Sequence, residues 1–214
     1  MTNGSLAERL SAYAAGLRYE DLPPETIHEA KRRLLDTLGC AMGAFGSEPA
    51  TIARRLARTV TSTVPATVIG TAHQTAPELA AFANGVLFRY LDYNDTYLSK
   101  EPAHPSDNFA AVLAVAEPQR SSGQEIITAA VLAYEIQCRL CDAASIRARG
   151  WDHVTYGSFS TSLAAGKLLG LSEAQLTHAQ GLAGVPNNAM RQTRVGVLSH
   201  WKGCAFANAS RNGV

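Results

Sequence analysis

Apolar residues along this chain return mostly every three to four positions, the spacing that lines one face of an α-helix. Leu6, Leu10, Ala14 and Leu17 follow Ser5-x-x-Glu8, a capping box that opens a helix. Pro23-Pro24 starts a second helix, with Ile27, Leu34, Leu38, Ala41 and Phe45 facing inward and Gly46 closing it. A shorter helix runs from Pro49 to Leu56, and another, capped by Thr75 with Pro77 in its first turn, carries Leu79, Phe82, Val86 and Tyr90. Helix resumes near Ser106 with Phe109, Val112, Leu113 and Ala116. Ser122-x-x-Glu125 caps a long helix to about Ile146, and Ser172-x-x-Gln175 caps one to about Val185. Between them, residues 154–169 read as a helix rich in Ser, Thr and Gly, small residues that permit close helix–helix approach. A last helix opens near Ser199, with Gly213 as its C-cap.

Two stretches break this period. Residues 65–70 are short, β-branched and closed by Gly70, the one convincing strand candidate. Residues 92–105 are polar, contain Pro and show no period, so they form a loop. No solenoid repeat and no linker divides the chain. The expected fold is therefore all-α: a multi-helix single domain over residues 1–214 with at most one or two short strands. One short strand leaves no parallel sheet and no dinucleotide crevice.

Composition narrows the function classes. Hydrophobic residues make up 46% and charged residues 17% of 214 positions, enough apolar surface for one sizeable core. Nineteen Lys plus Arg face 18 Asp plus Glu, and the resulting +1 supplies no field for nucleic acid or an anionic membrane. No apolar run reaches the ~18 residues of a membrane span, and the amino-terminal residues lack a leader pattern. Four Cys are too few for a disulfide framework, so a reducing, cytoplasmic setting is expected. Fifteen of the cations are Arg, leaving Lys31, Lys100, Lys167 and Lys202 as a short list of side chains able to exchange a proton.

Several motifs carry candidate chemistry. Cys138-x-x-Cys141 lies mid-helix with no second pair and reads as buried small residues rather than a redox or zinc motif. Asp92-Tyr93-Asn94-Asp95-Thr96 starts like a calcium loop, but Tyr97 and Ala103 stand where Gly and Glu are needed. His104 precedes Pro105 at the entry of a helix, whose positive end favours a neutral, base-competent imidazole. His153 sits beside Asp152 near a helix start. Arg191 and Arg194 are three apart and share a face if helical, an arrangement that can grip a carboxylate. Each has an ordinary alternative: a solvated loop histidine, a satisfied histidine at a turn, a solvated arginine pair. Together, basic groups at three loop-to-helix junctions suit a small polyanionic acid, with Lys and Arg neutralising carboxylates and His moving protons.

The segments Leu91-Asp92-Tyr93-Asn94-Asp95-Thr96, His104-Pro105-Ser106-Asp107-Asn108, residues 150–157 (Gly-Trp-Asp-His-Val-Thr-Tyr-Gly) and residues 198–203 (Leu-Ser-His-Trp-Lys-Gly) together resemble the MmgE/PrpD family. That family includes 2-methylcitrate dehydratase, cis-aconitate decarboxylase and iminodisuccinate epimerase. The resemblance runs from about Leu6 to Val214. It implies a helical domain followed by an α/β lid, a homodimer, and no metal or organic cofactor, with the active site between helical domain and lid. Carried over by motif, His104, His153 and Lys202 are the catalytic residues, and Asp92 and Thr96 line the substrate site; Arg191 and Arg194 join them as carboxylate-binding candidates. Family members continue past the point matching Val214, so the resemblance implies that these residues correspond to roughly the first half of a member, without the lid.

Three functional readings follow. The first is a hydro-lyase of the 2-methylcitrate dehydratase type, acting on a small tricarboxylate by acid/base elimination, with one of His104 and His153 taking the carbon-bound proton and the other protonating the departing hydroxyl. Asp92 would orient a histidine or hold its tautomer. The second keeps the site for decarboxylation or epimerisation. The third is a non-catalytic helical fragment, or a subunit whose partner chain supplies the lid, with exposed apolar helix faces as its signature.

Overall fold

The computed structural model describes residues 4–214; residues 1–3, part of the amino-terminal stretch read above for a leader, lie outside it. Helix α1 (Leu6–Gly16) opens on the expected capping box, in which Ser5 Oγ accepts from the Glu8 amide and the Glu8 carboxylate accepts from the Ser5 amide. Helix α2 (Pro24–Ala44) starts at the Pro pair and α3 (Glu48–Ala57) follows a short turn. The same box opens α6 (Gly123–Ala143) at Ser122 and α8 (Glu173–Gly184) at Ser172. Helices α4 (Pro77–Arg89), α5 (Phe109–Gln119), α7 (Val154–Leu168) and α9 (Trp201–Gly213) complete the set among the described residues. No helix among them is long and apolar enough to cross a membrane.

Helices α4, α5 and α7 are buried on nearly every face, and they form the centre. Helix α9 packs across α4 and α7, α6 lies along α7, α1 pairs with α8 on the outer side of α7, and α2 and α3 flank α4. The largest cluster joins Val86, Leu87, Phe88 and Phe109 to Ala41, Ala44 and Ala207, with Leu34 and Leu38 closing its edge. The small residues of residues 154–169 act as expected. A Cβ on Gly157 would meet the Phe206 ring at 2.6 Å, and one on Gly85 of α4 would meet Ala207 at 2.9 Å. Backbones of α4, α7 and α9 therefore approach closely, which fixes where the amino-terminal end of α9 lies.

The structure departs from the sequence expectation at element ends. Only Ala66 and Thr67 of the strand candidate form a strand (β1, Ala66–Thr67), and its antiparallel partner is β2 (Gln74–Thr75). Thr75 does not cap α4: its hydroxyl donates to the Val60 carbonyl, and Ala76 occupies the cap position without a side-chain bond. Helix α6 stops at Ala143 rather than Ile146. The Glu101 carboxylate, buried in the loop, accepts from Ser145 Oγ at 3.1 Å and from the Arg147 amide at 3.0 Å, drawing the chain off the helix axis. Ahead of α5, Pro105–Asn108 forms a 3₁₀ turn, so His104 precedes that turn rather than the α-helix itself. Gly213 is the last residue of α9, not its cap, and a Cβ there would overlap Thr161 of α7.

Candidate active site

The carboxyl end of α4, the amino ends of α7 and α9, the 3₁₀ turn at Pro105–Asn108 and a second 3₁₀ turn at Arg191–Arg194 meet at one end of the bundle. Two helices point their amino ends, and hence their positive dipole ends, into this region. His153 holds the residue position just before α7, and Lys202 lies in the first turn of α9.

The imidazoles of His104 and His153, 49 residues apart in sequence, have ring centroids 6.1 Å apart. Lys202 Nζ donates to Asp92 Oδ2 at 3.1 Å, and Asp92 Oδ1 lies 3.7 Å from His104 Nε2. One carboxylate thus joins the ammonium to the first imidazole. The chain from Lys202 through Asp92 and His104 to His153 joins side chains from three distant segments in one contiguous cluster.

Asp92 does not set the His104 tautomer. His104 Nδ1 lies 2.7 Å from the backbone carbonyl of Asp95, which can only accept, so Nδ1 carries the hydrogen and Nε2 presents its lone pair. Burial, and next the Arg89 guanidinium, push the His104 pKa below its ordinary value, against the opposing pull of the Asp95 carbonyl and the Asp92 carboxylate. The neutral state is the expected one, with desolvation and a neighbouring cation as its leading causes. His153 is pushed further down by burial, followed by Arg194, His104, Arg89 and Arg191. Side-chain exposure of 17% at His104 and 9% at His153 leaves only an edge of the pair open to solvent.

Two members of this cluster escape a sequence reading. Arg89 ends α4 as what looks like an ordinary last-turn cation. It is 3% exposed, donates to Asp92 Oδ1, and lies 3.5 Å from Asp107 Oδ2. Asp107 is equally buried, and removal from water pushes its carboxyl up to about 7 despite Arg89, with Asp95 adding to the rise. Asp92 behaves oppositely: partial burial works against its charge, but Arg89 and Lys202 together hold it down to about 2. Asp92 also takes a left-handed backbone, φ 61°, which its contacts with Arg89 and Lys202 hold in place. Nothing in the sequence separates Arg89 from an ordinary last-turn cation; its burial arises only when the helices assemble.

The remaining candidates fall differently. Arg191 and Arg194 project to the same side, because residues three apart eclipse in a 3₁₀ turn. Arg194 Nε donates to the buried Asp152 at 2.6 Å, whereas Arg191 makes no ion pair among the described residues. Thr96 is exposed and lines a separate cavity of about 540 Å³ between α2 and α6, together with Arg33, Asp95, Tyr97 and Tyr134. Lys202 borders a depression of about 460 Å³ with Tyr90, Leu198 and His200. Cys138 and Cys141 are free, and burial pushes both thiols up to about 12, so neither is a thiolate near neutral pH.

The family model for the MmgE/PrpD N-terminal domain matches residues 8–214. The chain belongs to the MmgE/PrpD family. Among its relatives, the probable 2-methylcitrate dehydratase of Saccharomyces cerevisiae is 32% identical over 182 residues, 78% of this chain and 35% of the yeast protein. The 2-methylcitrate dehydratase of Escherichia coli is 34% identical over 190 residues, covering 83% of this chain and 39% of that protein. An alkylcitrate dehydratase of Talaromyces stipitatus is 31% identical over 200 residues, covering 83% and 42%. The chain therefore spans little more than a third of the length of these MmgE/PrpD relatives. Around the site the MmgE/PrpD helical bundle exposes apolar side chains, among them Tyr93, Met190, Leu198, Trp201 and Val197, the last wholly exposed.

Proposed function

We propose that this chain supplies the basic half of the active site of a hydro-lyase acting on a citrate-like tricarboxylate, as its dehydratase relatives are named. The observation that carries the reading is the pair of neutral imidazoles, His153 buried and His104 largely so, beside the Lys202–Asp92 ion pair. Removing a proton from carbon next to a carboxylate places charge on that carboxylate. A cation aimed at the growing charge is worth about 10²–10³ in rate. Lys202 and Arg191 fill this role, and the amino ends of α7 and α9 add to it.

One imidazole takes the carbon-bound proton at Nε2, and the other, protonated in the working complex, gives its proton to the departing hydroxyl so that water leaves. Each transfer contributes about 10²–10⁴-fold. Asp92 beside His104 Nε2 stabilises an imidazolium there, which favours His104 as the acid and His153 as the base. Arrival of substrate carboxylate at Lys202 competes with Asp92 and frees that carboxylate to support His104.

The exposed apolar rim supports a further polypeptide covering the site, in the same protein or in a partner copy or chain, and excluding water during proton transfer. The test is proton NMR of the purified protein in deuterated buffer with 2-methylcitrate, cis-aconitate or an aminodicarboxylate. Appearance of an olefinic product from 2-methylcitrate supports the dehydratase reading. Loss of carbon dioxide from cis-aconitate, or proton exchange in the aminodicarboxylate without loss of water, moves the assignment to a decarboxylase or epimerase. Absence of binding and exchange with all three refutes a carboxylic-acid site.

A further inference from the structure

Next to the imidazole pair lies a second, largely buried arrangement that the proposed chemistry has not used. Asp152 has no exposed surface. Its amide donates to the Ala189 carbonyl at 2.8 Å, beside the isolated bridge between Trp151 and Met190. Oδ1 accepts from the Val154 amide at 3.1 Å and lies 3.2 Å from His153 Nδ1, while Oδ2 accepts from Arg194 Nε at 2.6 Å. A residue serving only to start α7 needs one oxygen on the free amides of the first turn. The second oxygen, and an almost buried arginine brought from 42 residues away to meet it, exceed that need.

We propose that Asp152 and Arg194 form a positioning pair for His153, holding its imidazole as the Nδ1–H tautomer with Nε2 free to accept a proton, and that Arg194 acts through this pair rather than by gripping substrate. The tautomer follows from what a carboxylate tolerates. An Nδ1 lone pair facing Asp152 Oδ1 is repelled, whereas Nδ1–H is attracted, so the hydrogen resides on Nδ1. Nε2 is then an acceptor, and it is buried without any hydrogen-bond partner. A buried unpartnered acceptor costs free energy in the resting protein, and an arriving C–H or O–H group relieves it.

Arg194 completes the device. Alone, a buried Asp152 carboxylate would draw a proton onto His153 and remove its basicity. The guanidinium neutralises that carboxylate while leaving its orienting oxygen in place. Its Nη2 is itself buried without a partner, so the arginine faces inward rather than toward solvent. The other titratable groups around His153 are Arg191 on the same turn as Arg194, His104 from the loop and Arg89 at the end of α4, whose guanidinium in turn meets Asp92 and Asp107. Apart from Asp152 itself, the groups that act most on His153 are three arginines and the His104 ring, all of which disfavour a proton on it.

This inference rests on His153 working in the proposed site, but its test needs no turnover. Long-range nitrogen–proton NMR of the histidine rings reports tautomer and titration directly. In the wild-type protein His153 is expected as the neutral Nδ1–H form at pH values where an ordinary histidine is already protonated. An Nε2–H tautomer, or titration near the ordinary histidine value, overturns the proposal without any variant. Arg194→Gln is expected to raise the His153 pKa by about one unit or more while leaving His104, held by the Asp95 carbonyl, in its tautomer. Arg194→Lys keeps the charge and is expected to keep His153 neutral, which separates charge from a general loss of folding. Asp152→Asn is expected to give a mixture of His153 tautomers. An unchanged His153 titration in Arg194→Gln overturns the role given to Arg194. The expected tautomer in a protein that binds no carboxylic acid would leave the pair standing and sink the proposed function; turnover with the opposite tautomer would do the reverse.

Discussion

Replacing Asp107 with Asn tests how the charge of Arg89 is shared between its two carboxylates. Asp107 is 2% exposed, its Oδ1 accepts from Asn94 Nδ2 at 2.8 Å, and its Oδ2 faces Arg89 Nε without a hydrogen bond. Its carboxyl stands at about 7 in the folded protein against 3.8 for the free side chain. A carboxyl raised on folding keeps its full stabilising effect below the unfolded pKa and loses it as pH climbs to the folded pKa. Across that window the folded state holds a proton that the unfolded chain has released. About three pH units at ~1.4 kcal/mol each make about 4 kcal/mol of stability lost between roughly pH 4 and pH 7. Asn keeps the acceptor for Asn94 and cannot ionise, so the variant escapes this loss. Urea unfolding followed by circular dichroism at about pH 4.5 and about pH 8 reads it as a difference between variant and wild type, which cancels the opposite trend from the two buried histidines. At a slope of ~2 kcal/mol per M, the midpoint difference should move in favour of Asp107→Asn by up to about 2 M between the two pH values. A variant less stable by the same amount at both would show that Asp107 is ionised and paired with Arg89 throughout, and the reasoning would fail.

Other perturbations probe the neighbouring contacts. Asp92→Asn should cost about 1 kcal/mol above pH 4, a figure reduced from the full pKa difference because the side chain is 42% exposed. A carboxyl lowered on folding loses its contribution as pH falls through the folded value, so the difference should vanish near pH 2, checked by thermal melting across that range. Gly85→Ala places a methyl 2.9 Å from Ala207 and should destabilise by about 1–3 kcal/mol, with α9 and Lys202 displaced from Asp92. A melting temperature within error of wild type would mean that the α4–α9 contact is less close than described.

Much of the bundle was legible because its signals are local. Three capping boxes and two proline starts fix helix beginnings within one or two residues, and the small-residue run at 154–169 announces the tight crossing with α9. Helix ends were not legible where a distant group decides them. Glu101 stops α6 from 42 residues before the helix end, and Thr75 leaves its capping role for a carbonyl in another segment. Two-residue strands carry no period, so β2 had no signature. Motif positions led to His104, His153, Lys202 and Asp92, which the fold gathers in one place. Arg89, Asp107 and the Asp152–Arg194 pair were hidden because their importance lies in burial, and burial is a property of the assembled helices. Thr96 shows the converse: it lies four residues from Asp92 on the same loop, yet lines a different cavity.

The most direct measurement is a titration of the protein with citrate, observing the ring signals of His104 and His153 together. If both imidazoles and Lys202 contact one polycarboxylate, the two sets of signals follow a single saturation curve, and Lys202→Ala weakens it about tenfold, equivalent to ~1.4 kcal/mol. Rings that stay still, that move with different affinities, or that respond equally in Lys202→Ala would contradict a shared site.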